Sequence, residues 1–198
     1  PPPRGYRATG GSDRARVLEL FVDRVSDYDA TVRRISARDL PATIAGILKG
    51  RRAERMALPS DLPEEWLGEV PAGSVEWLRE SSAESPLSKG RLASVHGVIT
   101  GCALAVAETG TIVLDGGGAQ GRRALSLLPD YHLCVVRASQ VVELVPEAVT
   151  LMAEAIGERQ APITMISGPS ATADIELERV QGVHGPRTLD VILVEGEG

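Results

Sequence analysis

A stretch near the carboxyl end of the sequence, ISGPSATADIELERVQGVHGP at residues 166–186, concentrates hydroxyl, glycine and proline residues around one short amphipathic segment. The apolar run 162–166 before it is typical of a buried strand, and the apolar spacing after it is typical of a helix. Open α/β sheets bind ligands where a strand ends and a helix begins, because hydroxyl and N–H groups there can donate to an anion. We therefore predict anion-binding residues here, namely Ser167, Gly168, Ser170, Thr172 and Gly185.

A second glycine-rich stretch, AETGTIVLDGGGAQGRR at residues 107–123, also has the residue types that bind anionic groups. Backbone N–H groups of glycines and a guanidinium can hold a carboxylate or a phosphate between them. The pattern is neither a dinucleotide fingerprint nor a Walker loop, so a flexible loop with solvated arginines explains it equally well. On the anion-binding interpretation, this stretch forms the wall opposite residues 166–186. Its predicted contact residues are Thr109, Gly110, Thr111, Gly116, Gly117, Gly118 and Arg122.

Three residues in these stretches have side chains that can transfer a proton: Glu108, Asp174 and His184. Glu108 could act as a nucleophile or a base in a desolvated cleft, because burial raises a carboxyl pKa. Otherwise it is a structural hydrogen-bond acceptor. Asp174 falls in the first turn of the predicted helix, where the helix dipole by itself favours a carboxylate. His184 lies in a loop between glycines, which suits an acid, a base or a histidine that caps the preceding helix.

The other histidines and the cysteines do not form a metal-binding pattern. His96 and His132 lack the spacing of paired ligands. Cys102 and Cys134 are isolated and have no CxxC neighbour, and Cys134 is typical of a buried core residue. We therefore predict that this chain holds no metal ion, no iron–sulfur cluster and no dinucleotide cofactor.

The composition is that of an ordinary globular chain of 198 residues, of which 43% are hydrophobic. The chain has 21 basic and 27 acidic residues and no basic block, which argues against nucleic acid as a partner. No apolar run approaches the ~20 residues of a membrane span. The first residues, PPPRGYRATGGSDR, lack the hydrophobic segment of a signal peptide, so we expect a cytoplasmic location.

Helical and extended apolar patterns alternate along the chain. Ser12 is expected to cap a helix that ends near Tyr28, and the run 30–35 after it is extended. Further helices and strands alternate as far as a last strand at 189–194. This alternation favours an α/β fold with a mostly parallel sheet and helices on both faces.

The same patterns divide the chain into two parts. We predict an N-terminal helical extension, residues 1–50, packed on an α/β domain, residues 51–198. The turn-rich segment SSAESPLSKG, residues 81–90, is the predicted flexible connection on the surface of that domain.

Two blocks of the sequence resemble the LUD-domain family. They are GVITGCALAVAETGTIVLDGGGAQGRRALSLLPDYHLCVVRASQVVELVPEA at residues 97–148 and TMISGPSATADIELERVQGVHGPRTLDVILV at residues 164–194, and they contain several uncommon motifs in the family's order. The first ninety residues match the family only in general layout. The sequence departs from the family pattern at Ala93, His96, Met165 and Ala173.

The resemblance implies the sugar-phosphate isomerase and CoA-transferase type of α/β fold, with an anionic group held at the carboxyl ends of the strands. It also implies one component of a system that oxidises L-lactate to pyruvate. The partners would be other lactate-utilisation subunits, which alone would hold the iron–sulfur clusters, and this chain would bind a small carboxylate or phosphate.

Two other functions fit the same fold. One is an independent cyclo-ligase-like or acyl-transfer enzyme that acts on a phosphorylated or thioester substrate. The other is a sensor of a small carboxylate. Fold alone does not choose among these functions, because one architecture supports unrelated chemistries.

Overall fold

The computed structural model describes residues 5, 7–80, 86–160, 162–170 and 185–196. Thr172, Asp174 and His184, with the helix predicted after Ser170, therefore lie outside the described residues. None of the helices in the described ranges is long and apolar enough to cross a membrane.

The described residues form ten strands and five α-helices. The strands are β1 (Thr31–Ser36), β2 (Arg55–Leu58), β3 (Glu76–Arg79), β4 (Gly97–Thr100), β5 (Leu104–Val106), β6 (Thr111–Leu114), β7 (Tyr131–Arg137), β8 (Val141–Val142), β9 (Thr164–Ile166) and β10 (Thr188–Glu195). The helices are α1 (Arg14–Ser26), α2 (Leu40–Arg51), α3 (Lys89–Ala93), α4 (Arg123–Leu127) and α5 (Val145–Arg159).

Six strands form the main sheet, in the order β1-β10-β7-β4-β2-β3. Every neighbouring pair in this sheet is parallel, so the prediction of a mostly parallel α/β fold is confirmed. The central strand β7 is buried from Tyr131 to Val136. A strand is apolar along its length where both of its faces are covered, which is the usual state of a parallel sheet.

One face of the main sheet is covered by helix α2. Ile44 and Leu48 of α2 pack in one core cluster with Met56 of β2 and Leu133 of β7. These four side chains are at most 2% exposed. Their burial gives the helix–sheet contact its stability, at about 25 cal/mol per Å² of apolar surface removed from water.

The other face is covered by α1 and by a second sheet, which the sequence did not predict. The second sheet has the order β8-β5-β6-β9, and its β5–β6 and β6–β9 pairs are antiparallel. Phe21 of α1 and Ile112 of β6 pack with Cys134 of β7 on the inner side of this sheet. Ala148 and Met152 of α5 pack on its outer side. The strand predicted in the apolar run 162–166 is found as β9, and its partner is the antiparallel β6 of the second sheet.

The first fifty residues supply part of the main sheet as well as two helices. β1 pairs with β10 along its whole length, from Thr31 opposite Asp190 to Ser36 opposite Glu195. Helix α1 packs over this pair through a buried stripe that includes Phe21 and Val25. The division of the chain at residue 50 stays a prediction.

Candidate functional site

The carboxyl ends of β2 and β4 mark the place where the chain changes direction in the main sheet. From β2 the chain crosses outward to β3, whereas from β4 it leads to β7 on the opposite side. Open α/β sheets bind ligands in the crevice at such a switch point, because the two connections leave it in opposite directions. Asp61 lies after β2 and Gly101 directly after β4, so these two positions locate the candidate site.

A segment that we name the glycine loop, residues 115–121, lies at this switch point. Its shape is fixed from within, because Asp115 Oδ1 accepts a hydrogen bond from the Gly117 N–H (2.9 Å) and Gln120 Oε1 accepts one from the Asp115 N–H (2.7 Å). Gly116 and Gly121 have φ angles of 70° and 67°, which glycine adopts without strain. These features favour a loop of defined shape over the flexible loop that the sequence also allowed.

Two hydrogen bonds tie the glycine loop to the main sheet. The Ala119 N–H donates to Asp61 Oδ2 (3.0 Å), and the Gly101 N–H donates to the Ala119 carbonyl (2.7 Å). Since β2 and β4 are neighbours, the loop spans the crevice between their ends. A cavity lies on each side of it.

The larger cavity, named the loop cavity, has a volume of about 650 Å³. The predicted residues Gly116, Gly117 and Arg122 line it, whereas Gly118 lines the second cavity. Other polar residues that line the loop cavity are Ser60, Asp61, Glu80, Arg123, Ser126 and Thr164.

The two arginines after the glycine loop have different roles. The guanidinium of Arg122 donates to the carboxylate of the buried Glu80 and to the Leu87 carbonyl. The Arg123 side chain is exposed and has no ion pair or hydrogen bond within the described ranges. Among the described residues that line the loop cavity, Arg123 is therefore a cation without a protein partner, and the role of Arg122 in anion binding stays a prediction.

The second cavity, named the inner cavity, has a volume of about 250 Å³ and lies at the carboxyl ends of β4 and β7. Its lining includes Cys102, Gly118, Arg137 and Gln140. The Gln140 amide donates to the Cys102 carbonyl (2.6 Å), and its oxygen accepts from the Arg137 N–H (2.8 Å). Gln140 thus holds together the loops that follow the two strands.

The predicted hydroxyl residues form a cluster of their own at the other end of β6. Thr109 Oγ1 and Ser167 Oγ each lie 2.7 Å from Thr111 Oγ1. Thr111 begins β6 and Leu114 ends it beside the glycine loop, so the two ends are about 10 Å apart at ~3.3 Å per residue. Within the described residues, this hydroxyl cluster and the glycine loop therefore do not line the same cavity.

Two glycines of this cluster serve the packing of α1. A Cβ on Gly110, whose φ is 59°, would lie 2.7 Å from the Arg24 carbonyl carbon. A Cβ on Gly168, whose φ is 92°, would lie 2.4 Å from the Tyr28 Cβ. Both glycines are needed where the second sheet meets the end of α1, and a role in ligand binding for them stays a prediction.

The remaining candidates are spread over the surface. The Glu108 side chain is exposed, so the desolvated cleft that its catalytic role required is not present. The Ser170 N–H donates to the Pro186 carbonyl (2.7 Å), which holds these two residues next to each other. Gly185 lies beside Leu127 of α4.

Arg137 and Asp61 are site residues that sequence reasoning missed. For Asp61 a signal was present, because Ser60 and Asp61 directly follow the predicted strand 55–58 in a turn-rich segment. Arg123 is adjacent to Arg122 after the glycines, and the sequence could not distinguish the two arginines, since the engagement of Arg122 depends on the distant Glu80.

The site combines a free guanidinium, a backbone donor and carboxylates. Within the part of the chain that the structure describes, the Gly116 N–H group has no protein acceptor. Together with Arg123 it can bind a small carboxylate or phosphate, while Asp61 can accept a proton or a hydroxyl hydrogen bond. The described residues contain no group of three His, Cys, Asp or Glu side chains that could hold a metal ion.

Comparison with known proteins shows one family. The model of the LUD domain matches residues 18–194. The chain is 47% identical over 189 residues to a protein of Deinococcus radiodurans named Lactate utilization protein C, a match that covers 96% of this chain and 84% of the relative. A Bacillus subtilis protein of the same name is 33% identical over 179 residues, with 88% and 71% covered.

A solved structure agrees with these matches. The crystal structure of a DUF162 family protein from Deinococcus radiodurans superposes with a TM-score of 0.78 at 43% sequence identity. The superposition covers 93% of this chain and 99% of that one. The family resemblance of the two sequence blocks is confirmed.

Proposed function

The chain belongs to the LUD-domain family, and from this premise we propose that it is a component of a system that oxidises L-lactate to pyruvate. The observation that carries the proposal is the 47% identity, over nearly the whole chain, to a relative named Lactate utilization protein C. The Bacillus subtilis relative of that name supports the proposal at a lower sequence identity.

Electron transfer belongs to the partner subunits in this proposal. An iron–sulfur cluster takes four protein ligands, usually cysteine thiolates, and this chain has two cysteines. The partners are other lactate-utilisation subunits, and the complex acts in the cytoplasm.

The contribution of this chain is to bind a small anion in the loop cavity. The negatively charged group, a carboxylate or a phosphate, lies against Arg123 and accepts a hydrogen bond from the Gly116 N–H. Charge-assisted hydrogen bonds of this kind are about twice as strong as neutral ones. The position at the switch point of the main sheet supports this placement.

Complementation tests the proposal. A Deinococcus radiodurans strain that lacks its Lactate utilization protein C should regain growth on L-lactate as sole carbon source when it expresses this chain. The same strain on glucose, with and without the chain, is the control. Failure to restore growth, with the chain present in folded form, would contradict the proposal.

The purified chain provides the second measurement. By itself it should show no lactate-dependent dye reduction, and activity should appear when the partner subunits are added back. Turnover of a phosphorylated or thioester substrate by the chain alone would instead favour an independent cyclo-ligase-like or acyl-transfer enzyme.

A further inference from the structure

The two cysteines of the chain meet beneath the inner cavity, although 31 other residues separate them in the sequence. Thr100, the last residue of β4, is the register partner of Cys134 in β7, and Cys102 lies two residues beyond it. Both side chains belong to one core cluster, and Cys134 Sγ donates to the carbonyl of Gly101, the residue before Cys102, at 3.7 Å. Two neighbouring thiols can be oxidised to a disulfide without a partner from another molecule.

A line of polar groups surrounds this pair in an otherwise apolar core. His132 Nε2 lies 2.7 Å from Thr100 Oγ1, and that hydroxyl lies 3.9 Å from Cys134 Sγ. On the other side, Cys102 Sγ donates to Gln140 Oε1 (3.6 Å). Polar atoms in a core usually have partners, yet the buried His132 Nδ1 has none within the described ranges. Packing alone does not require this arrangement.

The surroundings shift the pKa values of the two sulfurs in opposite directions. The interaction with Cys134, and then burial, raises the pKa of the Cys102 thiol. The interaction with Cys102 lowers the pKa of Cys134 against the effect of burial, with further lowering by His132 and Thr100. Arg137 lowers and Asp115 raises the pKa of Cys102 from a distance. The thiolate is the reactive form of cysteine, so this pair has a nucleophilic sulfur without an external base.

Access to the pair is through the inner cavity and is limited to small molecules. Cys102 lines this cavity and is 4% exposed, whereas Cys134 is 0% exposed. A volume of about 250 Å³ accommodates only a few water-sized groups, at ~30 Å³ each. A hydroperoxide fits this space, and a bulky disulfide such as oxidised glutathione does not.

We propose that Cys102 and Cys134 form a redox-active dithiol site that reacts with a small hydroperoxide. Cys102 passes its proton to the Cys134 thiolate and attacks the peroxide, so that an S–O bond forms and the O–O bond breaks. The leaving hydroxide takes the proton from Cys134 and becomes water. The Cys134 thiolate then attacks the Cys102 sulfenic acid, so that the S–S bond forms and hydroxide leaves. The two sulfurs lose two electrons and the peroxide gains them.

The direct test is oxidation of the native chain with one equivalent of hydrogen peroxide. We expect the loss of both free thiols, a mass lower by two hydrogens, and a peptide map that links Cys102 to Cys134 within one chain. Two thiols that survive in the native chain, or a disulfide between two chains, would overturn the proposal.

Single variants then identify the sulfur that meets the peroxide. Cys134→Ser should stop at a sulfenic acid on Cys102, trapped as a dimedone adduct, whereas Cys102→Ser should leave Cys134 unreacted. Equal reaction of the two variants would contradict the assignment. Circular dichroism of both variants checks that they are folded.

Two matched variants of Thr100 test the line of polar groups. Thr100→Val removes the hydroxyl between His132 and Cys134, so the rate of peroxide oxidation should fall about tenfold at neutral pH and its pH profile should move upward. Thr100→Ser retains the hydroxyl and should retain the rate. An unchanged profile in Thr100→Val would remove His132 and Thr100 as positioning residues of the site.

Discussion

Arg122 and Arg123 are neighbours in the sequence, yet only one of them is available to a ligand. The guanidinium of Arg122 is held by Glu80, which lies 42 residues earlier in the chain. Arg123 has no such partner in the part of the chain that the structure describes. At the residue scale, the availability of a charged side chain to a ligand thus depends on whether a neighbouring group already forms an ion pair with it.

The first prediction concerns the cation of the loop cavity. Arg123→Ala should weaken the binding of inorganic phosphate or L-lactate about tenfold or more, because a hydrogen bond to a charged group contributes about 1.5–3 kcal/mol. Isothermal titration calorimetry measures the change. Arg16→Ala, which removes an exposed arginine of α1, is the matched control and should bind as the unaltered chain does. Equal affinity of the two variants would exclude Arg123 as the anion ligand.

The second prediction concerns the buried Asp190, which is 1% exposed. It accepts two hydrogen bonds from Arg51, at 2.9 and 2.8 Å, and one from the Tyr131 hydroxyl at 3.0 Å. Burial raises the pKa of Tyr131, so its phenol stays protonated as a donor. Asp190→Asn leaves Arg51 without its counter-charge, and should lower the free energy of unfolding by about 2 kcal/mol, since Arg51 is partly solvated.

Urea denaturation measures this loss of stability. Asp130→Asn is the control, because Asp130 forms an ion pair with Arg187 at 3.7 Å in which both side chains are exposed. Exposed pairs contribute about 1 kcal/mol or less. Equal stability of the Asp190 and Asp130 variants would show that the Asp190 cluster is not a stabilising centre of the main sheet.

At the element scale, the attachment of α1 to the second sheet depends on close backbone approach. Gly110 allows the turn between β5 and β6 to reach the end of α1, because a Cβ there would lie 2.7 Å from the Arg24 backbone. Close approach of this kind cannot be read from the sequence, since it depends on how two elements far apart in the chain are packed. The glycine itself was visible in the sequence, where it was interpreted as a ligand contact or as part of a flexible loop.

The third prediction follows from this contact. Gly110→Ala should lower the free energy of unfolding by about 1–3 kcal/mol, because it combines a clash with a positive φ. Thermal denaturation measures the effect. Gly50→Ala in α2 is the control, since a Cβ there meets nothing within 4 Å. That change should be neutral or stabilising by up to about 1 kcal/mol, because alanine favours a helix. A neutral result at Gly110 would contradict the packing of α1.

The N-terminal segment before α1 is attached mainly through the carboxylate of Glu143, with one further hydrogen bond from the Gly10 N–H to Glu147 Oε1 (3.0 Å). Glu143 accepts hydrogen bonds from the N–H groups of Gly11 (2.8 Å) and Ser12 (2.9 Å) and from the Ser12 hydroxyl (3.0 Å). The Ser12 side chain, which was predicted to cap α1, therefore bonds to Glu143, and the Asp13 side chain caps α1 instead. The bond from the Ser12 N–H, and then the other two bonds, lower the pKa of Glu143 against the effect of desolvation.

The fourth prediction is the pH dependence of this attachment. Because the pKa of Glu143 is lowered in the folded chain, its stabilising effect is complete above the unfolded value of about 4.3 and is lost as the pH falls through the folded value. The protection factors of the Gly11 and Ser12 amides, which correct hydrogen exchange for the pH dependence of a free amide, should therefore fall in acid. Glu143→Gln should show this loss of protection already at neutral pH, whereas Glu19→Gln on exposed α1 should not. Full protection in Glu143→Gln would contradict the prediction.

At the scale of the whole molecule, the chain forms a main sheet whose two faces are covered in different ways. Helix α2 covers one face, and α1 with the second sheet covers the other. The first fifty residues contribute an edge strand to the main sheet and a helix to each of its faces. Their removal would affect the core and not only a surface extension.

The fifth prediction tests the division at residue 50. A chain of residues 51–198 should be largely unfolded or aggregated, because it loses β1 from the edge of β10 and the buried stripe of α1, which includes Phe21 at 0% exposure. Circular dichroism and size-exclusion chromatography measure this. A chain that lacks only residues 1–6 is the control and should fold. A folded monomer of residues 51–198 would establish the α/β domain as an independent unit.

The sequence by itself determined the fold class, the alternation of elements and the family, because apolar periodicity and uncommon motifs are local properties of the chain. It also located the glycine loop, since Gly116, Gly117 and Gly118 are adjacent residues. Only the tertiary structure decided that β9 pairs with β6, that Arg123 has no partner within the described residues while Arg122 pairs with Glu80, and that Cys102 and Cys134 share one core cluster. Each of these depends on contacts between residues far apart in the chain, and such contacts are fixed by the packing of the two sheets.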